Sequence, residues 1–182
     1  MFYLVPVFII LPLILMAVMI IVPNHIGKKL YPSFTKIKSS VLQIKRNDLF
    51  DLLTNYENYP IWLKYLSVVH VEKREDEKLK IMQTYSDRKT SQQLTEVRKI
   101  NTDNRTEISI VKLENEFAVL WTYILEDEEE DKTKITIKET TYVYHPYFRF
   151  IFKYILTDEN GKGEFLMRLK NFVNNKYKIK KN

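Results

Sequence analysis

From Val68 to Tyr144 the sequence alternates between apolar and polar residues in six segments: Val68 to Arg74, Leu79 to Tyr85, Gln92 to Ile100, Arg105 to Leu113, Phe117 to Leu125 and Lys134 to Tyr144. Successive side chains of a strand point to opposite faces, so a period of two predicts a half-buried strand in each segment. The length of the separators constrains the fold most. They are short and turn-like, such as Glu75-Asp76-Glu77 and Thr102-Asp103-Asn104, and the acidic run Glu126 to Asp131 reads as a hairpin. Parallel neighbours need a crossover of a dozen or more residues. No separator supplies one, so the six strands are expected to be consecutive and antiparallel.

The flanks complete the pattern. Ile37 to Lys45 alternates as a further strand. Asn47 or Asp48 can cap a short helix whose apolar face is Leu49, Phe50, Leu52 and Leu53, and Tyr59-Pro60-Ile61-Trp62-Leu63 reads as a second short helix with Pro in its first turn. After Pro146 the period becomes helical. Phe148, Ile151, Phe152 and Ile155 share one face, and beyond a break at TDENGKG (157 to 163) Phe165, Leu166, Leu169, Phe172 and Val173 share another. This order predicts an α+β fold in which a curved antiparallel sheet of six to seven strands wraps around a long C-terminal helix, with a gap between them.

Ahead of this domain, Phe2 to Val22 carries no charge. As a helix it would be roughly 31 Å long, about the thickness of a bilayer hydrocarbon core. No Lys or Arg precedes it and no small-residue cleavage site follows, so it reads as a retained transmembrane anchor rather than a signal peptide. Pro6 and Pro12 are expected to kink such a helix without ending it. The expected organisation is an anchor at 1–24, a basic juxtamembrane linker at 25–36 and one domain at 37–182.

The net charge of +6 has to be divided along the chain. Lys28, Lys29, Lys36, Lys38, Lys45 and Arg46 form one unopposed group, and Lys170, Lys176, Lys178, Lys180 and Lys181 another. The stretch from Asn47 to Leu169 keeps 18 of the 29 cations against all 23 acids, a net −5. A nucleic-acid partner is therefore not expected, because the middle of the domain would repel phosphates. Cations on the C-terminal side of the span favour a cytoplasmic domain docked beside an anionic leaflet.

Zero Cys excludes disulfides, thiol nucleophiles and thiolate metal sites. With only Gly27, Gly161 and Gly163, no phosphate-cradling loop can be built, and no cofactor is expected. His70 and His145 lack the spacing of a metal pair, so no metal is expected either.

The Tyr59-Pro60-x-Trp62 step, the strand Trp121-x-Tyr123-x-Leu125-Glu126, the strand Thr133-x-Ile135-x-Ile137-x-Glu139 and Pro146-x-x-Arg149 occur in an order that resembles the START-like superfamily. This group is also called SRPBCC or helix-grip, and it includes polyketide cyclase/dehydrase and lipid-transport domains. The resemblance spans roughly residues 36 to 178. TDENGKG departs from it by interrupting a helix that is usually more continuous, and the N-terminal span is an addition. The resemblance implies a cavity between sheet and C-terminal helix that holds a hydrophobic or lipid-like molecule.

Alternation identifies its expected lining. Phe117, Val119, Trp121 and Tyr123 share one strand face, Ile135, Ile137 and Glu139 share the next, and Trp62 joins them from the second short helix. The same residues can instead fill a solid core. Glu139 is a carboxylate in register with two isoleucines. It can anchor a ligand, act as a general base, or pair structurally with Arg149 or with backbone N–H groups. Three functions remain open: non-catalytic binding of a hydrophobic ligand at the membrane, a cyclase or dehydratase using Glu139 or Tyr123, and a protein-interaction module with a vestigial cavity.

Overall fold

The computed structural model describes residues 4–73, 78–87, 90–102, 106–155 and 161–178, with the first turns of the N-terminal helix in backbone only. The elements are α1 (Leu4–Lys28), β1 (Ser33–Leu42), α2 (Arg46–Thr54), a 3-10 turn (Tyr56–Asn58), α3 (Tyr59–Trp62), β2 (Leu66–Lys73), β3 (Leu79–Tyr85), β4 (Ser91–Asn101), β5 (Thr106–Leu113), β6 (Phe117–Glu129), β7 (Lys132–Val143), α4 (Pro146–Tyr154) and α5 (Gly161–Lys178). The six alternating segments are β2 to β7, each antiparallel to the next, as the short separators require. β1 adds to the free edge of β7, giving the order β1-β7-β6-β5-β4-β3-β2. The chain must therefore pass from one edge strand to the other between β1 and β2. α2, the 3-10 turn and α3 make that passage beneath the sheet.

Their buried side chains explain why they stay there. Leu49 and Leu53 of α2, Tyr59 and Trp62 of α3 and Leu63 enter one apolar cluster with Ile81, Ile108, Leu125, Ile135 and Ile137 of the sheet and Leu169 and Val173 of α5. Each such aliphatic side chain stabilises the fold by about 1.5–3 kcal/mol relative to exposure. Pro60 stands in the first turn of α3, where its missing N–H costs nothing.

Three features differ from the sequence expectation. The start of α2 is not capped by Asn47 or Asp48: its N-cap is Lys45, without a side-chain cap bond. The buried Arg46 holds that end instead, donating from NH1 to the Thr102 carbonyl at 2.6 Å and placing Nε 3.1 Å from Asp127 Oδ2. The strand pairing also runs further into the acidic hairpin than the charge run suggests. β6 reaches Glu129, Lys132 pairs with Glu129, and a register shift between Asp127 and Glu129 absorbs the crowding. The basic linker expected at 25–36 is divided between the end of α1 and the beginning of β1.

The helix expected to open at Pro146 is replaced by two elements. Only α5 covers the sheet, through Phe165, Leu166, Leu169 and Val173. α4 has no buried residue and packs against α1 instead. Residues 156–160, which hold most of the interruption before Gly161, lie outside the described residues. Arg149 fastens α4 to the end of β7 by donating from Nε to the Val143 carbonyl at 2.9 Å and from NH2 to the Tyr144 carbonyl at 3.0 Å.

α1 continues through Pro12 and Pro23. Among the described residues, no helix is long and apolar enough to cross a membrane. The expected transmembrane helix over Phe2 to Val22 is thus not borne out by them.

At the other end of α1, Gly27 is buried where only glycine fits. A Cβ there would lie 1.8 Å from the Pro146 carbonyl oxygen. Gly27→Val is expected to cost about 1–3 kcal/mol through overpacking. Hydrogen exchange should show faster amide exchange in α4 with the β5–β7 amides unchanged. In the core, Leu169→Ala is expected to cost about 2–5 kcal/mol, read as a lower denaturant midpoint at unchanged slope.

Candidate ligand-binding site

Register fixes which side chains share the covered face of the sheet. Across β5, β6 and β7 the rows are Ile110, Trp121 and Glu139, then Ile108, Tyr123 and Ile137, then Thr106, Leu125 and Ile135. The last two rows are apolar apart from the Tyr123 hydroxyl and Thr106, and they lie under α5. Tyr123 is buried with its ring 5.7 Å from that of Phe165.

Of the expected lining, Trp62, Tyr123, Ile135 and Ile137 come together in the apolar cluster, and Trp121 packs against it. Val119 is buried at the far end of the same face, outside that cluster. Phe117, half-buried, sits further still, its ring 5.6 Å from Phe152 of α4. Glu139 is half-buried on β7 and accepts a hydrogen bond from Trp121 Nε1 at 2.6 Å, between residues directly opposite in register. The structural pairing with Arg149 does not form, since the Arg149 guanidinium is committed to the carbonyls ending β7.

Trp62 is the most informative member. Its ring meets Tyr59 at 5.1 Å and Phe165 at 5.3 Å edge-on and Phe172 at 6.3 Å in a tilted contact, joining α3 to α5 through the two phenylalanines. Its Nε1–H is buried and has no hydrogen-bond partner. A buried donor left unmade costs about 1–3 kcal/mol, so this one marks a place between α3 and α5 where a polar atom would be stabilised.

Two groups went unseen in the sequence. Glu96 of β4 is buried and accepts a hydrogen bond from the Tyr56 hydroxyl. The alternation Gln92, Leu94, Glu96 does place that carboxylate on the face of Leu94, which is the signal that could have found it. Lys36 and Lys38, read as part of a juxtamembrane collar, belong to β1 and stand opposite Glu139 and Ile137. They occupy the strand face of the buried Leu42, and the Lys38 ammonium approaches Gly163 at the start of α5. The covered face therefore grades from an apolar end under α5 to a charged end at Lys36, Lys38 and Glu139.

Burial also sets the state of the tyrosines. Tyr56 and Tyr59 are pushed well above the usual tyrosine value, chiefly by burial and then by each other's neighbourhood of phenols and the Glu96 carboxylate. Tyr123 is raised by burial and then by Tyr65 and Glu139, and Tyr65 is raised to about 12, mainly by burial. At neutral pH the Tyr123 hydroxyl is therefore a proton-bearing donor rather than a base.

An open charged cleft of about 490 Å³ lies elsewhere, between the start of α2 and the β6–β7 hairpin, lined by Lys45, Arg46, Asp127 and Glu128 among others. It shares no residue with the expected lining and is lined by charged and amide side chains alone, so it does not suit a hydrophobic molecule. Among the described residues, no group of three or more His, Asp and Glu is placed to hold a metal ion. His145 accepts from the Tyr147 N–H at the start of α4, and His70 is exposed on β2.

Comparison with known proteins adds three findings. The family described as polyketide cyclase / dehydrase and lipid transport matches residues 42–156. No match is found among curated proteins. Among solved structures, a hypothetical protein from Helicobacter pylori superposes with a TM-score of 0.60 at 10% identity, over 77% of this chain and 88% of that one. Truncated norcoclaurine synthase from Thalictrum flavum superposes with a TM-score of 0.57 at 8% identity, over 81% and 97% of the two chains. The human StarD13 lipid transfer and protein localization domain gives 0.56 at 11% identity, over 79% and 78%. At such identities the likeness is one of fold.

The raised tyrosines make a pH prediction. A folded-state value above the unfolded one of about 10 stabilises the fold fully below pH 10, and that contribution is lost as pH rises through the folded value. Stability is expected to be flat with respect to these groups near neutrality and to fall above pH 10. Phenolate absorbance should show Tyr56, Tyr59, Tyr65 and Tyr123 ionising only as circular dichroism reports unfolding. Tyr56→Phe is expected to lose about 1–3 kcal/mol by stripping the buried Glu96 of its donor. The loss should shrink in a Glu96→Gln background.

Proposed function

This chain belongs to the polyketide cyclase / dehydrase and lipid transport family, and from that premise we propose that it binds a hydrophobic or lipid-like molecule between the sheet and α5 without transforming it, while α1 holds it to a membrane. The family suggests a hydrophobic ligand, and the observation that carries the reading to this site is the buried, unpartnered Trp62 Nε1–H among the aromatic rings joining α3 to α5. A ligand oxygen arriving there removes a standing penalty, while the ligand's apolar body takes the place of side-chain contacts along Tyr123, Ile135 and Ile137. Trp121, Val119 and Phe117 would extend the lining outward, and Glu139, held by Trp121, would orient the polar end.

Support for the non-catalytic part of the reading comes from the protonation and bonding just described. Tyr123 holds its proton, and the Glu139 carboxylate is occupied by an indole N–H. For the membrane part, the support is the 21-residue uncharged run at Phe2 to Val22 and the cations that follow it, a pattern that favours a domain on the cytoplasmic side.

The full chain purified from membranes is expected to retain one class of apolar molecule at near-stoichiometric amount, recovered chemically unchanged and identified by mass spectrometry of an organic extract. Trp62→Phe should keep the fold and weaken binding about ten-fold, as the loss of one hydrogen bond implies. Recovery of no organic molecule, together with no displacement of a fluorescent fatty acid or phospholipid, sinks the ligand reading. Release of the chain from membranes by alkaline carbonate sinks the anchor.

A further inference from the structure

We propose that α4 is a membrane-interface helix, its aromatic outer flank resting in the headgroup region of an anionic bilayer beside the point where α1 leaves it. The inference rests on the reading of α1 as an anchor. Its first ground is that α4 is apolar round most of its circumference and yet has no fully buried residue: Pro146 to Phe152 are half-buried and the helix ends exposed. In PYFRFIFKY only Arg149 and Lys153 are charged, no residue is buried, and Tyr154 and the following Ile155 are 55% and 60% exposed. One flank is used by the domain, where Phe152 meets Phe117. Phe150 and Tyr154 pair with each other at 5.0 Å, and Phe150 is about 200° around the helix from Phe152. That second aromatic flank has no place in the core.

The second ground is position. Gly27, in the last turn of α1, is in van der Waals contact with the Pro146 peptide that opens α4. α4 is thereby seated at the C-terminal end of the apolar run, where a span would meet headgroups. At nine residues, about 14 Å, it cannot cross a bilayer and can lie only at its surface.

The third ground is chemistry. Lys28 lies in the last turn of α1, Lys29 follows it and Lys153 lies in the last turn of α4, and neither α4 nor the end of α1 carries an acid. Aromatic side chains with a cationic rim are the composition that partitions into the interface of an anionic leaflet. α1, against which α4 packs, also exposes an apolar strip of its own from Ile14 to Val22. A protein partner would need to match that whole apolar strip, whereas a bilayer covers it without specific complementarity.

The native chain has no Cys, so one introduced cysteine carries a unique environment-sensitive fluorophore. The full chain is reconstituted in nanodiscs of phosphatidylcholine, alone or mixed with phosphatidylglycerol, with the label at Tyr154→Cys or Phe150→Cys. Met19→Cys reports on α1, and Ile37→Cys, 62% exposed on β1, reports on open water. The expected result is a several-fold lower iodide quenching constant at 150 and 154 than at 37, with strong quenching by shallow spin-labelled lipid that increases with phosphatidylglycerol. Iodide quenching at 150 and 154 equal to that at 37, with position 19 quenched by deep spin-labelled lipid, overturns the inference and leaves the anchor standing. Iodide access at 19 as well overturns both. Protection from iodide at 154 without lipid quenching overturns it in favour of a protein cover, including a second copy of the chain.

Discussion

The pairing of β1 with β7 is the constraint on which the domain depends. It joins Ser33–Leu42 to Lys132–Val143 in ten consecutive register pairs, so the first strand of the sheet is completed by the last. With β1 at one edge and β2 at the other, the intervening helices have one short way across, beneath the sheet, and their apolar faces define which side of it is covered. α5 then finds the remaining opening over β1 and α3. Loop-closure entropy has to be met before this long-range pairing contributes anything, which makes it late and cooperative. The Val143 N–H donated to the Pro32 carbonyl and the Thr133 hydroxyl donated to the Ile44 carbonyl close its two ends.

The covered face combines two environments along one set of strands. Under α5 the rows through Tyr123 and Leu125 are buried and apolar, and further along the same strands the row through Trp121 carries Glu139 and, across β1, Lys36. Such a gradient suits an amphiphile better than a wholly apolar molecule, because the charged end stays near solvent while the tail displaces water. It also explains why Glu139 is tolerated. The Trp121 indole satisfies one oxygen, and half-burial leaves the carboxylate a high-dielectric side.

The strands were legible in the sequence because alternation and separator length are local properties: Leu79 to Tyr85 was placed to the residue, and β2 to β7 all came out in order. The shared face of Tyr123, Ile135 and Ile137 was legible too, since it follows from parity alone. What local pattern could not supply was partnership. Phe148 and Ile151 repeat like a core-facing helix, yet α4 rests on α1, because Gly27 and Arg149 commit it there. Asn47 looks like a cap, yet the helix begins one residue earlier, uncapped at Lys45, with Arg46 fixed by a carbonyl 56 residues along the chain. Lys36 looked like a linker charge because β1 starts four residues before its alternation becomes regular.

The junction between α1 and the domain has a further consequence. Only residues 29–32 separate α1 from β1, and the first two of these are tied back by Lys29 N–H to the Ile26 carbonyl and Leu30 N–H to the Gly27 carbonyl. With α4 wedged against Gly27, the domain has no tether on which to swing. A carrier on a long leash searches a volume and can visit a facing surface; one mounted this rigidly has almost no reach. Under the proposed anchoring, whatever it holds would have to arrive and depart by lateral diffusion along the one surface on which the domain stands.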